Sequence, residues 1–132
     1  MCCGGRGSPW HGLCDIHRKI ARSGAEHLWN RDELGIELAP GLDEVSLALV
    51  ADAWSRTYRS RAVTFAASPG AITTRSGIRI VPDTSAKPKE DVVNAFTDRA
   101  PVQALDQTLA VIESRYGAAT RYVVAMQLEY AN

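Results

Sequence analysis

The stretch that decides the fold is IELAPGLDEVSLALVADAW, residues 36–54. It opens on β-prone, mostly apolar residues and breaks at Pro40-Gly41, a pair that ends a strand and starts a turn. Asp43 follows as a helix N-cap, and Glu44 beside it suits the positive end of a helix dipole. Leu42, Val45, Leu49 and Ala53 then recur at helical spacing, with Val50 and Trp54 widening the stripe. The spacing predicts a strand over Gly35–Ala39 and a helix over 43–58. Arg56, Arg59 and Arg61 gather near the end of that helix, where cations suit the dipole.

Downstream, AVTFAA (62–67) is an apolar run suited to a buried parallel strand, and Ser68-Pro69-Gly70 is a turn. AITT (71–74) and IRIVP (78–82) are short β-prone runs joined by Arg75-Ser76-Gly77, a hairpin connection. Residues 83–90 are polar and loop-like, and DVVNAF (91–96) is a final short strand. The last third is helical. Asp98 is placed to cap a helix with Pro101 in its first turn. Val102, Leu105, Leu109, Ile112 and Tyr116 form its stripe, and Gly117 ends it. A second helix runs from Ala118 to about Glu129, with Tyr122, Val123 and Met126 on one side. A strand–helix–strand opening argues for an α/β fold with a small, mainly parallel sheet and a right-handed crossover, completed by C-terminal helices.

The chain has 132 residues, enough for one domain, and 45% of them are hydrophobic, enough to fill a core. Two parts differ in character. Residues 1–33 hold all 3 cysteines and all 3 histidines and read as an extension with one helical piece, in which Ile16, Ile20 and His27–Leu28 fall near one face. Residues 34–132 read as the α/β domain. Lys plus Arg and Asp plus Glu number 15 each, so no net charge draws the chain to nucleic acid. No apolar run reaches the roughly 18 residues that span a membrane, and the N-terminus lacks a secretory signal pattern. An odd number of cysteines makes a poor disulfide framework, which points to a reducing cytoplasm.

Three stretches together resemble the ThiJ/PfpI family of the class I glutamine amidotransferase-like superfamily. LAPGLDEVSLALVADAWSRTYRSRAVTFAAS (38–68) is similar to the family's opening β-α-β unit. AITTRSGIRIVPD (71–83) is similar to its pair of short strands with a Ser-Gly turn and a Pro-Asp ending, and ALDQTLAVIESRYGAATRYVVAMQLEY (104–130) to its C-terminal helices. The resemblance implies a flavodoxin-like sheet of glutamine amidotransferase type, here truncated. It also implies a strand–turn–helix elbow with a cysteine nucleophile between the Pro-Asp strand and the C-terminal helices. Only residues 84–100 occupy that interval, and they contain no cysteine, histidine or glycine. Aligned through Pro40-Gly41, the family's acidic partner of the nucleophile falls on Ser46.

The resemblance therefore leads to a degenerate, non-catalytic domain, a binding or self-association module without a cofactor, with Asp43, Glu44 and Ser46 as the remnant of a site. Glu37, a carboxylate in a strand that the family buries, is expected at an edge created by the loss of the sheet's middle, and such an open edge invites a homo-oligomer. One alternative is a hydrolase, hydratase or glyoxalase-like enzyme with a rebuilt site. Another is a metal-binding module that draws on Cys2, Cys3, His11, Cys14 and His17, whose spacing lacks a paired Cys-x-x-Cys. WSRTYRSR (54–61) interleaves aromatic and basic residues as a nucleic-acid surface does, yet the same residues satisfy a helix stripe and a helix end.

Overall fold

The computed structural model describes residues 31–87 and 91–130. Its elements run β1 (Asp32–Glu37), α1 (Glu44–Ser55), β2 (Ser60–Phe65), β3 (Ile72–Thr73), β4 (Arg79–Ile80), β5 (Val92–Val93), α2 (Pro101–Tyr116) and α3 (Ala118–Gln127). β1 lies in the middle of a parallel sheet of order β2-β1-β5, and β3 and β4 form a separate antiparallel hairpin. This is the α/β architecture expected from the sequence. β1 begins two positions ahead of the boundary drawn at residue 34, because Asp32 and Glu33 pair with Ser60 and Arg61 of β2.

The parallel pairing fixes which side chains share a face. Leu34 and Ile36 of β1 lie in register with Ala62 and Thr64 of β2, and Ile36 also with Val93 of β5. That face meets all three described helices in a single core, where Trp54, Leu109, Ile112 and Val124 are almost wholly buried. The opposite face carries Gly35 beside Val63 and Val92, flanked by the pairs Glu33–Arg61 and Glu37–Phe65.

Several expectations are corrected by this packing. β1 is central, not an edge. Glu37 reaches water because β5 pairs only as far as Ile36, which leaves the last residue of β1 open on that side. The buried stripe of α1 is Ser46, Leu47, Val50, Ala53 and Trp54, so Val45 points outward and Leu49 is half-buried. In the same way α2 buries Ala104, Leu105, Thr108, Leu109 and Ile112 and leaves Val102 exposed. α3 buries Val123, Val124 and Ala125 while Tyr122 and Met126 face outward.

The ends of the helices follow local chemistry. α1 stops at Ser55, short of residue 58, and Tyr58 leaves in the left-handed region at φ 59°. Thr57 and Ser60 close that turn in a buried hydroxyl pair 2.8 Å apart, and the Ser60 hydroxyl also donates to the Trp54 carbonyl. Asp98 is not a cap. Ala100 holds the N-cap position of α2, Pro101 opens the first turn, and Asp98 pairs with Arg99 instead. Gly117 ends α2 and begins α3 at φ 89°, a backbone state that favours glycine.

The outer edge of β2 is partly covered. The Asp83 carboxylate accepts from the Thr64 amide at 2.8 Å and from its hydroxyl at 2.7 Å, and the Thr84 amide donates to the Thr64 carbonyl. At the opposite end of the sheet, Arg115 of α2 bridges Asp91 and Asp32, and the Tyr116 hydroxyl donates to Asp32 at 2.6 Å. The arginines of 54–61 are accounted for similarly: Arg56 pairs with Asp52, Arg59 lies over the Tyr116 ring, and Arg61 pairs with Glu33. Trp54 itself lies in the core.

Candidate functional site at the carboxyl end of the sheet

In open parallel sheets, ligands and chemistry collect beyond the carboxyl ends of the strands. Here that region is built from the turn after β1, the first turn of α1, the β3–β4 connection and the loop from β5 to α2. The Gly41 amide donates to the Thr73 carbonyl, and the Arg75 amide to the Leu42 carbonyl, so the hairpin is laced onto the turn that precedes α1.

Asp43, Glu44 and Ser46 all lie at this turn and the start of α1. The Asp43 carboxylate accepts from the Ser46 amide at 2.8 Å, which is the N-cap bond. The hydrogen bonds from Ser46 hold the Asp43 carboxyl below the ordinary carboxylate range, with a lesser push from the Arg75 guanidinium 3.8 Å away. Glu44 is also held low, first by the Ser76 hydroxyl and then by its own amide, while its Oε2 is enclosed without a hydrogen-bond partner. Ser46 is fully buried, and its hydroxyl points 3.5 Å to the Arg99 carbonyl in the loop before α2.

Sequence reasoning missed four participants. Arg75 reaches toward both Asp43 and the Thr97 carbonyl, Ser76 faces Glu44, and Arg99 lies 5.6 Å over the Phe96 ring. Phe96 itself adopts φ 50°, the left-handed region, with its amide held by the Asn94 side chain at 2.6 Å. The sequence places Asn94 and Phe96 in a strand over 91–96, but β5 ends at Val93, and a strained aromatic residue just past it is visible only in three dimensions.

The chemistry available here is narrow. All cysteines and histidines fall at positions 2, 3, 11, 14, 17 and 27, outside the described residues, and the metal candidates Cys2, Cys3, His11, Cys14 and His17 fall there with them. Among the described residues no group of three or more His, Cys, Asp or Glu is arranged to hold a metal ion. The two carboxylates are ionised at neutral pH and one is committed to a helix cap. Of the two buried hydroxyls there, that of Ser46 faces a backbone carbonyl and that of Thr74 accepts from the Ile78 amide. That arrangement ties a turn, a hairpin and a helix start together and leaves an arginine-flanked surface around them.

A scan against protein-family models finds no match, and a search of curated proteins finds none either. Solved structures do match. The chain is similar to Drosophila melanogaster DJ-1beta at a TM-score of 0.60 and 12% identity, over 77% of this chain and 100% of that one. It is similar to an AraC family transcriptional regulator from Pseudomonas putida at 0.62 and 9% identity, over 74% of this chain and 99% of that one. Oxidized DJ-1 from Toxoplasma gondii matches at 0.58 and 11%, over 76% and 100%. Among the described residues no helix is long and apolar enough to cross a membrane.

Proposed function

We propose that this chain, which carries the DJ-1/ThiJ/PfpI fold in shortened form, is a non-catalytic member of that architecture and works as a binding or self-association module. The observation that carries the reading is Ser46: the position that the resemblance assigns to an acidic partner holds a buried hydroxyl directed at the Arg99 carbonyl. Among the described residues of the interval in which a nucleophile elbow belongs, the one named element is the two-residue β5. What remains, the Asp43 cap, the Glu44–Ser76 approach and the Arg75 bridge, stabilises structure. For self-association, β5 supplies the open edge, since Val92 is 41% exposed while the outer side of β2 is occupied by Asp83. The proposal keeps the protein in the cytoplasm, with no resident cofactor and a small-molecule ligand of unassigned chemistry.

The test is turnover of methylglyoxal and of amide and peptide substrates by the purified chain, with light scattering on the same sample. A monodisperse assembly without turnover is expected. Turnover that disappears when the thiols are alkylated would overturn the reading in favour of an enzyme built around the N-terminal cysteines.

A further inference from the structure

β5 has little apolar burial to hold it in the sheet. It pairs with β1 at two residues, Val92 beside Gly35 and Val93 beside Ile36. Val92 is exposed and Val93 half-buried. A strand with so few buried contacts belongs to the low-stability end of a fold. Its attachments gather at its start. The Asp91 carbonyl accepts from the Gly35 amide at 2.9 Å, and the Asp91 carboxylate meets the Arg115 guanidinium at 2.5 Å. Arg115 is anchored from the other side. It lies in the last turn of α2, whose Leu109 and Ile112 are in the core, and its guanidinium reaches Asp32 of β1 at 3.1 Å and lies 5.6 Å over the Tyr116 ring. The Tyr116 hydroxyl donates to the same Asp32 at 2.6 Å, and Asp32 is in register with Ser60 of β2. α2, β1 and β2 thus form a fixed frame, and Asp91 is the side chain by which β5 grips it. At its other end β5 gives way to a tight turn. Phe96 sits there at φ 50°, its amide held by the Asn94 side chain at 2.6 Å and its ring packed against the core. That turn is a strained, anchored hinge.

We propose that β5 is a strap held shut by an ionic latch, Arg115 on Asp91, and that it swings about the Asn94–Phe96 turn when the latch is screened. The latch sits in water: the Asp91 side chain is 65% exposed and that of Arg115 is 32% exposed. Exposed ion pairs of this kind weaken as salt rises, while the buried contacts that hold β1, β2 and α2 together are not screened. Arg115 suits the carboxyl end of α2 with or without β5 beside it, so the fixed side of the latch stays in place when the strap leaves. Opening uncovers the backbone groups of β1 around Gly35, which a docked β5 keeps paired. β5 is therefore a cover for one flank of the central strand, and its hold responds to ionic strength. The strap works this way whether or not a second copy pairs with its outer edge.

Two amides read the two flanks of the central strand separately. Gly35 donates to the Asp91 carbonyl on the β5 side, and Leu38, just past β1, donates to the Phe65 carbonyl on the β2 side. Hydrogen exchange of the full-length chain, followed by nuclear magnetic resonance, measures both at once. Raising sodium chloride to about 1 M, where the Debye length is ~3 Å, screens the latch. The Gly35 amide should then exchange roughly three- to tenfold faster relative to Leu38. Asp91→Asn at low salt should give the same gain, with the Arg115–Asp32 pair left in place. Added salt should change the ratio little further in that variant. Arg121→Gln, which removes the separate pair with Glu113, should leave the ratio as it is. Equal acceleration of Gly35 and Leu38 would overturn the proposal, as would a ratio that neither salt nor Asp91→Asn moves. So would a salt response in Asp91→Asn as large as that of the unaltered chain, which would put the salt-sensitive contact elsewhere.

Discussion

At the scale of single residues, two carboxylates do most of the organising. Asp43 caps α1 and Asp83 covers the Thr64 amide, and hydrogen bonds hold both below the ordinary carboxylate range. A carboxylate that binds protons less tightly when folded stabilises the fold above its unfolded value, about 4. That contribution is lost as pH falls from there through the folded values. Urea midpoints should therefore drop on acidification below about pH 4, and the acid limb should be shallower in Asp43→Asn and Asp83→Asn. At neutral pH, Asp43→Ala should cost about 1 kcal/mol through the lost cap, measurable as a lower urea midpoint at unchanged slope. Both roles of the Asp43–Glu44 pair, cap and first-turn acid, were legible in the sequence, because capping is decided within four residues. Arg75 and Arg99 were not, since what brings them to that turn is the lacing of a hairpin and a loop distant in the chain.

At the scale of elements, α2 is the member on which the others converge. Its buried stripe meets the sheet, its C-terminal Arg115 and Tyr116 hold the starts of β1 and β5, and Trp54 of α1 sits edge-on to the Tyr116 ring at 6.2 Å. Leu109→Ala should cost about 2–5 kcal/mol by chemical denaturation, while Val102→Ala on the same helix should change stability by less than about 0.5 kcal/mol. Burial, and then Asp32, push the Tyr116 hydroxyl above its ordinary value. A phenol that resists ionising when folded stabilises the fold below its unfolded value, about 10, and that share fades as pH rises through the folded value. Alkaline unfolding should consequently begin near pH 10 and be less steep in Tyr116→Phe, followed by circular dichroism. Helical periodicity located all three described helices but placed Val45, Val102, Tyr122 and Met126 inward. A stripe read from spacing gives a direction only to within a neighbouring row, and each true face is set by which helix it meets.

At the scale of the whole molecule, the order of strands was the least legible feature. The strand–helix–strand order announced a parallel sheet, yet the residue that argued for an edge, Glu37, belongs to the central strand and is exposed because its neighbour β5 is short. Pairing partners distant in the chain leave no local pattern to read. If the proposed self-association runs through β5, a proline at Val92, which is 41% exposed at that edge, should lower the mass measured by light scattering while far-UV circular dichroism keeps its helical signal.

The same central strand has a consequence in time. Gly35 pairs with Val63 on one side across a single helical crossover, and with Val92 on the other across about twice that length of chain. Closing the longer loop carries the larger entropic cost and its reward is only two residues of pairing, so β5 has reason to dock last. A chain leaving the ribosome can close β1, α1 and β2 on one another well before β5 and α2 have emerged. Until then one flank of its central strand stays unpaired, and its longest period of vulnerability to chaperones and to other nascent chains falls there.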